Sequence, residues 1–255
     1  MNSIDDTELE GQKVLLRTDF NLPIEDGEPQ KTVRFERYQE TVKELSERGA
    51  KVVVMAHQVR PGREDFLSLQ QHSEILSGSL GQEVEFVKSF FGPELEETVE
   101  GLKNGEVALL ENIRFLSEEL RNASPEQHAQ DIFVQRIAPM LDNYVDDAFS
   151  AAHRSHGSMV GFAEKLDSYA GPVMSNELES CGKVRDEFEN GVLVLGGEKP
   201  SDLIGILDEI VESVDKVLLG GIPGELALIL EGHELGEKKE WIVENGFDGK
   251  KTDLR

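Results

Sequence analysis

The segment from Tyr144 to Gly161 combines residue types that suit the binding of an anion. An apolar stretch meets two acids, and His153, Arg154 and His156 follow among small side chains. Arginine and histidine donate hydrogen bonds to anions, and small residues let a backbone approach a ligand closely. We interpret this segment as the floor of a phosphate-handling site, with a polar surface loop as the alternative.

Polar side chains also follow three earlier apolar stretches. The run that ends at Arg17 is followed by Asp19 and Asn21, the run that ends at Met55 by His57 and Arg60, and the run that ends at Leu110 by Arg114. Taken singly, each has an ordinary explanation as a helix cap, a loop histidine or a surface arginine. Together they place donors for an anion after four separate strands.

The elements that must position these residues alternate between strand and helix. Apolar runs predict strands over 13–17, 51–55, 83–87, 106–110 and from Tyr144, and helical spacing predicts helices over 35–49, 68–80, 94–102 and 126–137. Such alternation predicts an α/β fold with a doubly wound, Rossmann-like parallel sheet. Because ligands bind outside the carboxyl ends of such strands, we expect the polar side chains on one rim.

A second candidate site lies in the last third of the chain. The strand Val192–Leu195 leads into Gly196, Gly197 and Lys199, and a helix is predicted over 202–214. A glycine turn before a helix can present backbone N–H groups and one cation to phosphate, although a purely structural turn is the alternative. Another strand is predicted over 216–219.

We divide the chain into three parts. Residues 1–173 form an α/β domain, 174–190 an inter-domain helix and 191–255 an incomplete second α/β domain. A remnant with two strands leaves sheet edges and apolar helix faces uncovered, so we expect partial disorder or self-association of this chain.

The composition limits the partners. Acids outnumber bases 51 to 26, which gives a net charge of −25 and argues against nucleic acid or an anionic membrane as a partner. The acids are spread along the chain, which favours solubility at high salt over an acidic binding tail.

Cys181 stands alone, so no thiolate cluster for zinc is possible, and we assign no side chain as a metal ligand. Without a leader-like or membrane-spanning stretch, we expect a cytoplasmic protein.

Five motifs in order resemble phosphoglycerate kinase, most closely its salt-adapted archaeal members. They are Leu15-Leu-Arg-Thr-Asp-Phe-Asn21, Ala56-His-Gln-Val-Arg-Pro61, Leu109-Leu-Glu-Asn-Ile-Arg-Phe115, Tyr144-Val-Asp-Asp-Ala-Phe149 with Ala152-His-Arg-Ser-His156, and Leu195-Gly-Gly-Glu-Lys199. The resemblance implies a glycolytic kinase that moves a phosphoryl group reversibly between 1,3-bisphosphoglycerate with ADP and 3-phosphoglycerate with ATP, using Mg²⁺. It also implies a monomer whose two domains close across a cleft.

The resemblance also implies roles for single residues. The triose would be held by Asp19, Asn21, Arg34, His57, Arg60, Arg114, His153 and Arg154. Arg34 would face the transferring phosphoryl group, with Lys199 as its catalytic counterpart on the nucleotide side. Gly196 and Gly197 would contact the nucleotide.

The sequence departs from the family pattern at several positions. Val59 and Asp146 stand where glycine and asparagine are usual, and Glu198 and Leu203 are unusual near the lysine. The rest of the second domain is missing, so we expect ATP or ADP to bind only if that half is supplied. The alternative is a truncated or non-catalytic paralogue that binds 3-phosphoglycerate without phosphoryl transfer. A hydrolase that forms an aspartyl phosphate on Asp19 is disfavoured by Asn21, since that class commonly needs a second acid there.

Overall fold

The computed structural model describes residues 2–4, 7–187, 191–197 and 214–245, and the chain divides into two compact units, Met1–Glu179 and Ser180–Arg255. The strands of the first unit are β1 Asn2–Ser3, β2 Lys13–Arg17, β3 Ile24–Glu25, β4 Glu28–Pro29, β5 Lys51–Met55, β6 Val84–Val87, β7 Val107–Leu110, β8 Asn143–Asp146 and β9 Asp167–Ala170. Its helices are α1 Val33–Glu47, α2 Gln70–Leu80, α3 Pro93–Gly101, α4 Pro125–His128 and α5 Ile132–Ile137, and α6 Pro172–Glu187 runs from the first unit into the second.

A seven-stranded sheet forms the centre of the first unit. Its order is β1-β9-β8-β2-β5-β7-β6, and every neighbouring pair is parallel. The predicted α/β class is therefore confirmed. Strands β2 and β5 have the predicted bounds, because a strand that is buried on both faces needs apolar residues along its centre, here Val14–Leu16 and Val52–Met55.

The sheet is covered by apolar side chains on both faces. Val52 and Val54 of β5 belong to one core cluster, together with residues of α1 and α2 such as Phe35 and Leu76. Val53 and Met55 belong to the other cluster, together with residues of α3 and α5. This alternation along one strand is the mark of a doubly wound sheet with helices on both sides.

The carboxyl ends of four adjacent strands lie level with one another. In the order β8-β2-β5-β7, Arg17 is the register partner of both Met55 and Asp146, and Val54 is the partner of Leu109. These four strands are those that precede the polar residues found in the sequence. The sheet topology thus brings four distant segments to one rim.

The helix predicted over 126–137 is divided in the structure. Helix α4 ends at His128 and α5 begins after Asp131, whose backbone is extended at ψ 142°. The Asp131 carboxylate lies 2.6 Å from His128 Nδ1. The extended backbone of Asp131 separates the two helices, and periodicity alone did not reveal this break.

Several elements were absent from the sequence prediction, among them the two-residue strands β1, β3 and β4. β9 is a polar strand, Asp-Ser-Tyr-Ala, and lacks the apolar run on which the other strands were recognised. In the second unit the parallel pair β10 Val192–Leu195 and β11 Lys216–Leu219 was predicted, but two helices, α7 Gly221–Leu230 and α8 Glu237–Asn245, were not. The glycines and proline at the start of α7 resemble a turn signal. The helix predicted over 202–214 lies outside the described residues.

Among the described residues, no helix is both long enough and apolar enough to cross a bilayer.

Candidate anion site at the carboxyl edge of the sheet

The site lies at the ends of β8, β2, β5 and β7, and its innermost member is Arg17. This guanidinium is fully buried; its Nε donates to Ser158 Oγ at 2.9 Å, and a terminal nitrogen lies 3.1 Å from His57 Nδ1. The sequence analysis treated Arg17 only as the last residue of a strand. A charged residue at the end of an otherwise apolar strand was the available signal.

Arg17 determines how His57 is protonated. An arginine can only donate, so His57 Nδ1 must accept, which leaves the ring proton on Nε2. Burial lowers the pKa of His57 far below its usual range, and the charges of Arg17 and Arg114 lower it further. His57 is therefore a neutral donor at physiological pH.

Five side chains form what we call the cationic cluster: Arg17, His57, Arg114, Arg154 and His156. The charges of the other four all act on His57. Burial, followed by the charges of Arg114 and Arg154, lowers the pKa of His156 to about 4. At neutral pH both histidines are therefore uncharged, and the three arginines of the cluster concentrate positive charge in a protein whose net charge is −25.

Arg114 is held beneath a strained backbone. It donates through one terminal nitrogen to the carbonyl oxygen of Val59, while its Nε is buried without a partner. Burial, followed by the charge of Arg17, lowers its pKa to about 10, so it stays charged at neutral pH. A buried donor without an acceptor costs about 1–3 kcal/mol and suits a site where a ligand supplies that acceptor.

Val59 has a left-handed backbone, with φ at 54°. A β-branched residue is disfavoured there by about 1–2 kcal/mol. Two contacts hold it: its N–H donates to Asn21 Oδ1 at 2.8 Å, and its carbonyl accepts from Arg114. Asn21 thus joins the loops after β2 and β5.

Asp19 and Arg34 form a second centre beside the cationic cluster. Asp19 is 2% exposed; it accepts from the Asn21 N–H at 2.9 Å and from the Ser150 hydroxyl, and it lies 3.4 Å from Arg34. With both oxygens engaged, Asp19 is poorly placed to attack phosphorus, which argues against the hydrolase alternative. The Arg34 side chain is 51% exposed and free to meet a ligand.

A buried carboxylate balances the cationic cluster. Glu119 accepts from the Ser158 N–H and from the Ser158 hydroxyl, both at 2.7 Å, and that hydroxyl in turn accepts from Arg17. Burial raises the pKa of Glu119, while Arg17 opposes that rise. Glu119 also lies 3.7 Å from His156. The sequence analysis missed Glu119 and Ser158, since neither follows an apolar run.

The remaining predicted residues are less engaged. His153 and Arg154 are exposed, and Arg154 Nε donates to His153 Nε2 at 3.0 Å. Arg60 is exposed, and its guanidinium makes no hydrogen bond or ion pair within the described part of the chain. In the second unit, Gly197 accepts from the N–H of Ile222 at 3.1 Å, so the glycine turn packs on the start of α7. Lys199, Glu198 and Leu203 lie outside the described residues.

Among residues 2–4, 7–187, 191–197 and 214–245, no three His, Cys, Asp or Glu side chains lie together as a group that could hold a metal ion. The arginines of the cationic cluster and His57 Nε2 present N–H groups, and such groups bind an anion rather than a cation.

Comparison with known proteins agrees with this geometry. The sequence profile of the family described as Phosphoglycerate kinase matches residues 4–248. A phosphoglycerate kinase of Halorubrum lacusprofundi is 48% identical over 241 residues, which cover 94% of this chain and 59% of that protein. One of Methanopyrus kandleri is 44% identical over 253 residues, 98% of this chain and 62% of that protein.

Among solved structures, the phosphoglycerate kinase of Pyrococcus horikoshii OT3 matches with a TM-score of 0.88 at 35% identity, covering 96% of this chain and 62% of that one. The chain thus spans about three-fifths of the length of these relatives. It belongs to the phosphoglycerate kinase family.

Proposed function

We propose that this chain binds 3-phosphoglycerate at the carboxyl edge of its seven-stranded sheet, as the acceptor half of a cytoplasmic phosphoglycerate kinase. The observation that carries the proposal is the convergence of Arg114, Arg154 and His57 after β7, β8 and β5, three of the four neighbouring strands whose carboxyl ends form the site. Charge-assisted hydrogen bonds from guanidinium groups contribute about 1.5–3 kcal/mol each to holding a phosphate dianion.

The cationic cluster receives the non-transferring phosphate of the triose. His57 donates from Nε2 without carrying charge, and Arg114 gains an acceptor for its unpaired Nε. Arg154 and His153 are exposed at the rim and close over the ligand, with Arg60 as a further cation from the loop after β5. Asn21 keeps the loops after β2 and β5 in register for this contact.

Arg34 serves the opposite end of the triose, where the carboxylate accepts the phosphoryl group. Asp19 fixes the guanidinium from a distance of 3.4 Å while leaving half of the side chain exposed. A cation so placed compensates the charge that is shared between the attacking and leaving oxygens of an in-line transfer. Arg34 therefore contributes more to the transition state than to ground-state binding.

The nucleotide belongs to the second unit. Gly196 and Gly197 offer backbone N–H groups to a phosphate at the end of β10, and Lys199 follows them in sequence. Mg²⁺ enters with ATP or ADP, where it neutralises phosphate charge.

Calorimetry with separate ligands tests the proposal. We expect 3-phosphoglycerate to bind the 255-residue chain, and Arg114→Ala to weaken that binding by at least about tenfold, the equivalent of one charge-assisted hydrogen bond. Arg136→Ala, an exposed arginine on α5, is the matched control and should bind as wild type does. Equal affinities for all three proteins would refute the assignment of the site.

A second titration with Mg-ATP, followed by an assay of ADP release, separates the two forms of the proposal. Binding and turnover support the kinase reaction in this chain. Binding of 3-phosphoglycerate alone identifies the chain as an acceptor half that needs the remainder of the nucleotide domain.

A further inference from the structure

His128 lies beneath the anion site and is not among the residues that reach it. The ring is fully buried; Nδ1 is 2.6 Å from Asp131 Oδ2, and Nε2 is 3.0 Å from the Ser155 carbonyl oxygen and 3.1 Å from that of Arg121. Carbonyl and carboxylate oxygens only accept. Both ring nitrogens must therefore donate, and the ring joins three separate segments as a double donor.

The residues around His128 also pack closely against it and its partner Asp131. Asp131 is itself held by Arg121, at 2.5 Å from its other oxygen. A Cβ added to Gly157 would lie 3.2 Å from His128 Nδ1 and 2.6 Å from the ring of Phe133. A side chain at position 157 would therefore collide with Phe133 and crowd His128, so glycine is required there.

Ser155 is the point where this buried donor meets the site. It stands between Arg154 and His156, two members of the cationic cluster, and its hydroxyl donates to the Ala123 carbonyl at 2.6 Å. The side chains of residues 153–156 are otherwise exposed or half-exposed. Such a segment depends on specific hydrogen bonds for its order.

We propose that His128 is a positioning residue of the anion site, which fixes the segment 153–156 through the Ser155 carbonyl and so places Arg154 and His156. The effect on triose affinity rests on the proposed function, whereas the effect on the order of the segment does not. Through Asp131, the same ring ties the break between α4 and α5 to the site.

Two substitutions separate the two ends of the ring. In His128→Gln the amide nitrogen lies near the position of Nε2, so the donor to Ser155 is kept and the donor to Asp131 is lost. In His128→Asn the amide nitrogen lies near Nδ1, so the Asp131 contact is kept and the contacts with the Ser155 and Arg121 carbonyl oxygens are lost. Both variants remove the buried ring and the N–H of one ring nitrogen, so each serves as the other's control for stability.

Backbone hydrogen exchange and calorimetry with 3-phosphoglycerate measure the outcome. We expect His128→Asn to speed exchange of amides 153–157 and to weaken triose binding, each by about tenfold, as the loss of one hydrogen bond predicts. His128→Gln should stay within about threefold of wild type in both. Equal effects of the two variants would overturn the proposal and leave His128 as core packing.

The outcomes for the site and for His128 can be told apart. If wild type fails to bind 3-phosphoglycerate, the proposed function falls, and the exchange rates still decide whether His128 orders the segment. If neither variant folds, nitrogen-15 spectra of the wild-type ring decide. Two slowly exchanging ring N–H protons on His128 support the double donor, and a single one contradicts it.

Discussion

Asp146 is a buried acid that costs stability at neutral pH. It stands at the end of β8, and its Oδ1 accepts from the Ala148 N–H at 3.0 Å. Burial, opposed by that hydrogen bond and by Arg17, raises its pKa from 3.8 to about 6. Asparagine would keep the accepting oxygen in the same place and carry no charge.

The pH dependence follows from the direction of this shift. Between about pH 4 and pH 6 the folded chain keeps a proton that the unfolded chain has lost, so stability falls as pH rises through that window. A difference of about two pKa units corresponds to about 3 kcal/mol, which is an upper limit for the full effect above pH 6. Asp146→Asn should therefore match wild type near pH 4 and gain about 1–3 kcal/mol at pH 7.5.

Urea unfolding at several pH values and constant KCl measures this difference. Asp147→Asn is the matched control, because both Asp147 oxygens accept, from the Thr41 hydroxyl at 2.6 Å and the Met174 N–H at 3.0 Å. An amide cannot replace both acceptors, so Asp147→Asn should gain less. A stability gain for Asp146→Asn that is the same at pH 4 and pH 7.5 would refute the reasoning.

Three further outcomes are expected. Val59→Gly should relieve about 1–2 kcal/mol of strain from the left-handed backbone, while the greater freedom of the unfolded chain costs about 0.5–1 kcal/mol. Thermal unfolding should therefore show a small net gain in stability, and a marked loss of stability would contradict the strain at Val59. Arg34→Ala should lower kcat more than it raises KM for 3-phosphoglycerate, while Arg37→Ala, one turn along α1 and paired with Glu177 at 3.5 Å, should change neither; a change confined to KM would make Arg34 a ground-state contact. Nitrogen-15 spectra should show His57 as the neutral Nε2–H form from pH 5 to 9; a midpoint near its ordinary value would disprove the role of Arg17.

Much of the first unit could be predicted from apolar patterning. β2 and β5 are apolar along their centres, and the four strands that precede the candidate residues are neighbours in the sheet, as strand-end reasoning requires. β9 escaped prediction because its residues are polar, and α7 because glycine and proline at its start imitate a turn. Such elements are fixed by tertiary contacts that a local pattern does not contain.

The candidate site was only partly accessible to sequence reasoning. Residue type and position after a strand identified His57 and Arg114, but not their protonation or their partners. Arg17 donates a hydrogen bond to Ser158, which lies 141 positions away in the sequence. His57 is neutral because it is buried and lies beside Arg17. The contact between His128 and Ser155 likewise depends on the fold, because the spacing of the two residues in the sequence does not predict it.

A crystal structure of the chain with 3-phosphoglycerate tests the central claim most directly. The ligand phosphate should lie within hydrogen-bond distance of the Arg114 guanidinium and His57 Nε2, with the carboxylate end towards Arg34. A phosphate bound instead at the Gly196–Gly197 turn, or on a face away from the ends of β2, β5 and β7, would contradict it.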